Sequence, residues 1–181
     1  MKVIPDSSFF ICFLDDLEGH LPFDNRIRIL TTIVTQFTIT VMPKVNEESR
    51  LHRCSQSILM HVHMAEMPSP ERALDPAIEL LRPLIGKGEH EVITCAHLHV
   101  LEGTRVFLFI LDDGIARDLV KRTFPSLITH MKGTVGFIGH CTIYGIIERN
   151  EAIHLLTVLR KSKFRVDSKT IDSVIKDIQN R

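Results

Sequence analysis

The chain has 181 residues, long enough to bury one continuous core, and 44% hydrophobic against 24% charged residues excludes a disordered or fibrous polymer. The formal net charge is zero, so bulk charge offers no attraction to a polyanion. A nucleic-acid partner would have to be met by local clusters such as Arg117/Lys121/Arg122 or Arg160/Lys161/Lys163/Arg165.

The opening Lys2-Val3-Ile4 reads as a short strand that stops at Pro5, where a ladder donor is missing. Asp6-Ser7-Ser8 then caps a helix from Phe9 to about Asp16. Residues 24–36 have Ile27, Leu30 and Val34 at helical intervals, and Phe37 to Met42 is β-branched enough for a buried strand. Pro43 marks its exit. Val45 to Met64 reads as one long helix carrying Glu47, Leu51, Cys54, Ile58 and Val62 at spacings of three or four. Met67-Pro68-Ser69-Pro70 is the clearest loop, and a further helix starts at Ser69 or Pro70 and runs through Leu81.

Gly86-Lys87-Gly88 breaks the pattern ahead of a helix over Glu89–Val100. The run from Arg105 or Val106 to Leu111 is apolar throughout, as in a strand buried on both faces, and it ends directly in Asp112-Asp113-Gly114. A helix through Arg122, a short last strand within Pro125–Thr129 and an apolar helix near Phe137–Ile147 complete the alternation. Glu151–Arg160 and Ser168–Ile178 read as amphipathic helices. Strands alternating with helices predict an α/β fold, a three-layer α/β/α sandwich with a central parallel sheet. Residues 1–181 form a single domain in this reading, with 150–181 as a C-terminal helical segment.

Four cysteines, Cys12, Cys54, Cys95 and Cys141, are widely spaced with no CxxC pair, the usage of reduced buried thiols rather than of a disulfide framework or zinc knuckle. No apolar run reaches the ~18 residues of a membrane span, and Lys2 and Asp6 interrupt the start too early for an ordinary signal sequence. The expectation is a cytoplasmic protein. His61/His63 and His97/His99 are spaced i,i+2 within expected helices, which turns each pair to different faces and argues against zinc. Neither Gly86/Gly88 nor Gly133/Gly136 carries the context of a phosphate or dinucleotide loop.

Chemistry is concentrated in the acids. Asp6 and Asp112-Asp113 leave strand ends, where ligands bind in open parallel sheets; Glu47 and Glu91 start helices, with Glu89 beside Glu91. Carboxylates gathered there repel one another, a cost that divalent cations offset. Hard oxygen ligands suit Mg²⁺ or Mn²⁺, and a pair of such ions about 3.5–4 Å apart activates water and stabilises a departing phosphodiester oxygen. Helix capping by Asp6 and Asp113 is the ordinary structural alternative.

Taken in order, these segments resemble PIN-domain ribonucleases, especially toxins of the VapBC toxin-antitoxin type with GExE and DDxxAR signatures. Val3-Ile4-Pro5-Asp6-Ser7-Ser8-Phe9 resembles the family's strand-Asp-Ser/Thr-Ser opening, and Val45-Asn46-Glu47-Glu48 its early-helix acid, with Glu47 the better match. Gly88-Glu89-His90-Glu91 is similar to GExE, Leu111-Asp112-Asp113-Gly114-Ile115-Ala116-Arg117 to the DDxxAR junction, and Gly133-Thr134-Val135-Gly136 to the GTxG segment that follows. The likeness spans roughly residues 2–150.

It implies metal-dependent hydrolysis of RNA by water. Asp6, Glu47, Glu91 and one or both of Asp112 and Asp113 would coordinate or orient Mg²⁺ or Mn²⁺, Asp113 matching best as the last metal ligand when the loop is read as an Asn-Asp pair. Ser7 or Ser8, and Glu89, would support them. Arg117, Lys121 and Arg122 would meet the RNA backbone. An antitoxin protein and a homodimer contact over residues 50–81 are the partners this branch implies. The alternative is a noncatalytic PIN-fold protein that binds RNA or another protein.

Overall fold

The computed structural model describes residues 1–49, 51, 54, 56–66 and 75–180. Five parallel strands form one sheet in the order β3-β2-β1-β4-β5: β1 is Lys2–Pro5, β2 Thr38–Val41, β3 Val62–Met64, β4 Phe107–Ile110 and β5 Met131–Lys132. All four residues of β4 are buried, as its unbroken apolar run predicts, and β1 pairs with it from Lys2↔Phe107 to Pro5↔Ile110. Pro5 is included in β1 at no cost to the ladder. Asp6 N–H donates to Ile110 O (3.1 Å), so the preceding nitrogen faces β2, and pairing with β2 has already ended at Val3↔Ile39.

Helices cover both faces of the sheet, giving the three-layer α/β/α arrangement. Helix α1 (Ser7–Ile11) runs into a π turn over Cys12–Asp16, and α2 (Phe23–Gln36) packs on β2. Phe9 meets Phe10, Phe13 and Phe137 edge-on at ring separations of 5.1–5.8 Å, and Phe37 packs on Phe137. These rings form an aromatic centre for one face. Helix α6 (Lys87–Leu101) packs on β1 and β4. Helix α8 (Thr134–Ile143) stops where Gly145 takes φ +70° and Ile146 N–H donates to Cys141 O (2.8 Å), a left-handed helix terminus that glycine adopts without strain.

Three expectations are corrected. The single helix over Val45–Met64 is instead α3 (Pro43–Ser49), α4 (Gln56–Leu59) and the edge strand β3. Leu51, Cys54 and Ile58 are buried as the spacing required. Val62 to Met64 departs from the helical pattern because β2 offers a free edge: the register is Ile39↔Val62 to Val41↔Met64, extended by Ala65 N–H to Val41 O. Similarly, Pro125–His130 is a 3₁₀ helix, and the last strand falls two residues beyond the expected Pro125–Thr129. Proline at the first position suits a helical turn, and only Leu127 of the turn is buried. Finally, the apolar helix begins at Thr134 and ends before Gly145 rather than spanning Phe137–Ile147.

The helix expected from Ser69 or Pro70 falls partly outside the described residues. Its remainder is α5 (Pro76–Leu81), capped by Asp75, whose side chain accepts Ala77 N–H (2.9 Å). Helices α7 (Gly114–Thr123), α9 (Arg149–Leu159) and α10 (Ser168–Gln179) complete the chain, with α10 packed on α8 and α9. No described helix is long and apolar enough to cross a membrane.

Candidate active site

The chain leaves β1 towards β2 and β3 and then returns to place β4 on the other side of β1. Crevices at the carboxyl ends of strands form where the direction of winding reverses in this way. Asp6 follows β1 at that position and Asp112 follows β4. The Asp6 side chain is fully buried and joins the two strand ends: Oδ1 accepts Phe9 N–H (3.1 Å), capping α1, and Oδ2 accepts Asp112 N–H (2.8 Å). Burial pushes its carboxyl well above the ordinary range and the Asp112 charge adds to this, while the two N–H donors oppose it.

Asp112 is held from β5 and α8. Thr134 gives Asp112 its N–H (to Oδ1, 2.8 Å) and its hydroxyl (to Oδ2, 2.5 Å). Gly133 makes this approach possible, since a Cβ there would stand 3.0 Å from both Asp112 Oδ1 and Arg117 Nη1. Arg117 in turn donates to Leu111 O (2.9 Å). Asp112 is also raised by burial, opposed by Thr134 and the Arg117 charge. Asp113 is exposed and caps α7 through Ala116 N–H (2.7 Å). Both acids of the pair therefore border the crevice, Asp112 as its fixed half-buried member and Asp113 on the rim.

A pocket of about 420 Å³ opens there, lined by Ser8, Ile11, Asp16, Glu89, Asp112, Asp113, Gly114, Lys163, Phe164 and Arg165. Of the two glutamates expected from the helix start, Glu89 lines it. Its carboxyl is raised by burial and by the charges of Glu48 and Asp113. Glu91 turns away: its carboxylate accepts Lys44 N–H at the start of α3 (2.8 Å) and lines a separate cleft with Arg82, Lys87 and His90. Burial raises Glu91 and the Lys44 N–H opposes this. Glu47 is exposed in an ion pair with Lys44 (2.6 Å), which holds its carboxyl below the usual range. Its neighbour Glu48 lies against α6, where a Cβ on Gly88 would stand 2.6 Å from Glu48 Oε2.

Ser8 borders the pocket, whereas Ser7 is buried at the start of α1. Lys121 pairs with Asp118 (3.0 Å), and neither it nor Arg122 borders the pocket. Three contributors were outside the expected site. Asp16 arrives through the π turn, whose Leu17 N–H reaches back to Cys12 O (3.1 Å), a local change of register with no sequence signal of its own. Lys163 and Arg165 belong to a basic cluster visible in the sequence, but only the packing of α9 and α10 carries them here. Asp16 is raised by burial and by Asp15, and Lys163 opposes the rise.

The donors suit a hard divalent cation in kind. Asp6, Asp112, Asp113 and Glu89 offer carboxylate oxygens alone, and burial makes the inner members costly to ionise without a compensating charge. Among the described residues, no three His, Cys, Asp or Glu side chains already converge on one point able to hold a metal.

An open parallel sheet with a carboxylate-lined crevice at its winding reversal defines a doubly wound α/β protein. The PIN-domain family profile matches residues 21–180, and the chain belongs to the PIN-domain family. The matched stretch takes in Glu47, Glu89, Glu91, Asp112 and Asp113 and starts after Asp6. No curated protein and no solved structure matches the chain.

Proposed function

We propose that this chain is a Mg²⁺- or Mn²⁺-dependent ribonuclease that hydrolyses RNA phosphodiesters with water. The observation that carries the reading is the meeting of Asp6 and Asp112 at the β1/β4 crevice of a PIN-domain chain, beside Glu89 and Asp113. Asp112, Asp113, Glu89 and Asp6 are the residues that would hold a cation; Glu47 and Glu91, engaged with Lys44 on the other side of α6, stay outside that set. Such a cation supplies the charge that activates water and steadies the leaving oxygen. Asp6 fixes the main chain of Asp112, Thr134 fixes its carboxylate, and Asp113 ties the rim to the first turn of α7. Ser8 stands among these acids as a hydroxyl donor. A role as the toxin of a toxin-antitoxin pair, held by an antitoxin protein and acting as a cytoplasmic homodimer, belongs to the same reading.

A second reading is favoured by the lack, among the described residues, of three ligating side chains gathered in advance: a noncatalytic PIN protein that binds RNA or a protein partner. Incubating purified protein with single-stranded and structured RNA in Mg²⁺, Mn²⁺ or chelator separates the two. Metal-dependent cleavage lost in Asp6→Asn, Asp112→Asn and Asp113→Asn supports the enzyme. Saturable RNA binding without cleavage in any metal supports the binding protein.

A further inference from the structure

Two cations line this pocket without forming an ion pair within it, Lys163 acting on the nearby Asp16 only through its charge. Lys163 and Arg165 lie in the segment between α9 and α10 and border the pocket together with Glu89, Asp112 and Asp113. Both are exposed, and neither has a carboxylate within ion-pairing distance among the described residues. Lys87, Arg105, Lys169 and Lys176 are likewise exposed and outside any ion pair among the described residues, but none of them lines this pocket; position sets Lys163 and Arg165 apart.

The segment carrying them is pinned. Phe164 between them is buried, its N–H donates to Ser162 Oγ (3.1 Å), and that hydroxyl donates to Leu159 O at the end of α9 (2.9 Å). An anchored Phe with a cation on each side fixes the main chain from which the two positive charges extend, so binding has to order the side chains but not the segment. A polyanion approaching Asp112, Asp113 and Glu89 meets repulsion, and these two cations are the pocket's own means of offsetting it.

We propose that Lys163 and Arg165 form the phosphate-binding wall of the pocket and position a single-stranded nucleic acid across the carboxylates. The inference rests on the proposed function for the identity of the opposite wall. The phosphates flanking the scissile bond sit on the 163–165 segment, and the bond itself faces Asp112 and Asp113. A pocket of about 420 Å³ accepts one nucleotide unit with its phosphate, as an unstacked single strand presents it. Lys163 and Arg165 act by positioning.

The test measures binding apart from cleavage. Fluorescence anisotropy of a labelled single-stranded RNA 12-mer in EDTA follows the wild type, Lys163→Gln/Arg165→Gln and the charge-matched Lys169→Gln/Lys176→Gln on α10 across a salt series. Circular dichroism melts check that each variant folds. We expect the 163/165 variant to bind about 10-fold more weakly, with the slope of log affinity against log salt smaller by about 1.4, two single-strand phosphate contacts at about 0.7 each. The α10 variant keeps the wild-type slope, and a 12-bp duplex binds more weakly than the single strand. In Mg²⁺, KM rises while kcat holds.

No wild-type binding, an unchanged slope in the 163/165 variant, or equal loss in both double variants overturns the proposal; a duplex binding as tightly as the single strand overturns its substrate class. Cleavage by the wild type with an unchanged KM in the variant defeats this inference alone. Binding through this wall without cleavage in any metal defeats the ribonuclease reading alone.

Discussion

Removing the charge of Asp112 should make the protein more stable while ending its activity. Asp6 is a buried and Asp112 a half-buried carboxylate whose protonated forms the fold favours, both raised chiefly by desolvation, with Asp6 raised further by the charge of Asp112. In Asp112→Asn, Oδ1 still accepts Thr134 N–H, and the new amide donates to Thr134 Oγ1, because a hydroxyl can rotate from donor to acceptor. Both hydrogen bonds survive and one half-buried charge is gone. The expected gain at pH 7.5 in EDTA is about 1 kcal/mol, within the usual range for a stabilising substitution, or roughly 2–4 °C in Tm for a chain of this size.

Asp6→Asn has no such escape. Both Asp6 oxygens accept rigid backbone N–H groups, from Phe9 and from Asp112. An amide nitrogen must face one of them, leaving a buried donor unpaired at about 1–3 kcal/mol, which cancels or exceeds the relief of charge. The order of Tm in EDTA should therefore be Asp112→Asn above wild type, with Asp6→Asn at or below it. The pH dependence has a definite sign. Because the folded carboxyls are raised above their unfolded values, the folded state binds more protons, so their contribution is present at low pH and lost as pH rises through the folded pKa. Wild-type Tm in EDTA should fall from mildly acidic to neutral pH, and Asp112→Asn should flatten that fall. Mg²⁺ should restore wild-type Tm at neutral pH and leave Asp112→Asn unmoved. A lower Tm for Asp112→Asn than for wild type in EDTA would refute the charge argument.

In cleavage assays, Glu89→Gln should cost more activity than Glu91→Gln, since only Glu89 lines the pocket; the reverse order would move the site to the Lys44 side of α6. Gly139→Ala should destabilise by about 1–3 kcal/mol through overpacking, because its Cβ would stand 2.7 Å from Val174 Cγ1 and a β-branched side chain on a helix has little freedom to turn aside. Thermal melts of Gly139→Ala/Val174→Ala should recover much of that loss while cleavage persists. Gly133→Ala presses on Asp112 and Arg117 together, so kcat should fall further than stability does; a variant that melts early yet cleaves normally would remove Gly133 from the site.

Whether an element was legible in the sequence followed from how locally it is determined. Strand β4 is apolar throughout because it is buried on both faces, and its end is marked by two acids, so its place and its chemistry could both be read. Strand β3 could not be read, because Leu51, Cys54 and Ile58 carry a helical period up to Val62 and what turns the next residues into a strand is the unpaired edge of β2. The acids divide in the same way. Asp6 and Asp112 stand at strand ends, where the turn out of the sheet fixes them, and their place in the crevice follows from the strands alone. Glu89 and Glu91 lie two residues apart on one helix and so face different ways. Which of them enters the pocket depends on the rotation of α6 about its axis, set by its packing on β1 and β4. Asp16 needs a π turn, and Lys163 and Arg165 need α9 and α10 to be docked before their segment meets the sheet. The carboxylate floor is thus a property of local strand ends, and its walls are a property of tertiary packing. Substitutions that loosen α10 from α8 should therefore weaken RNA binding before they touch the acids.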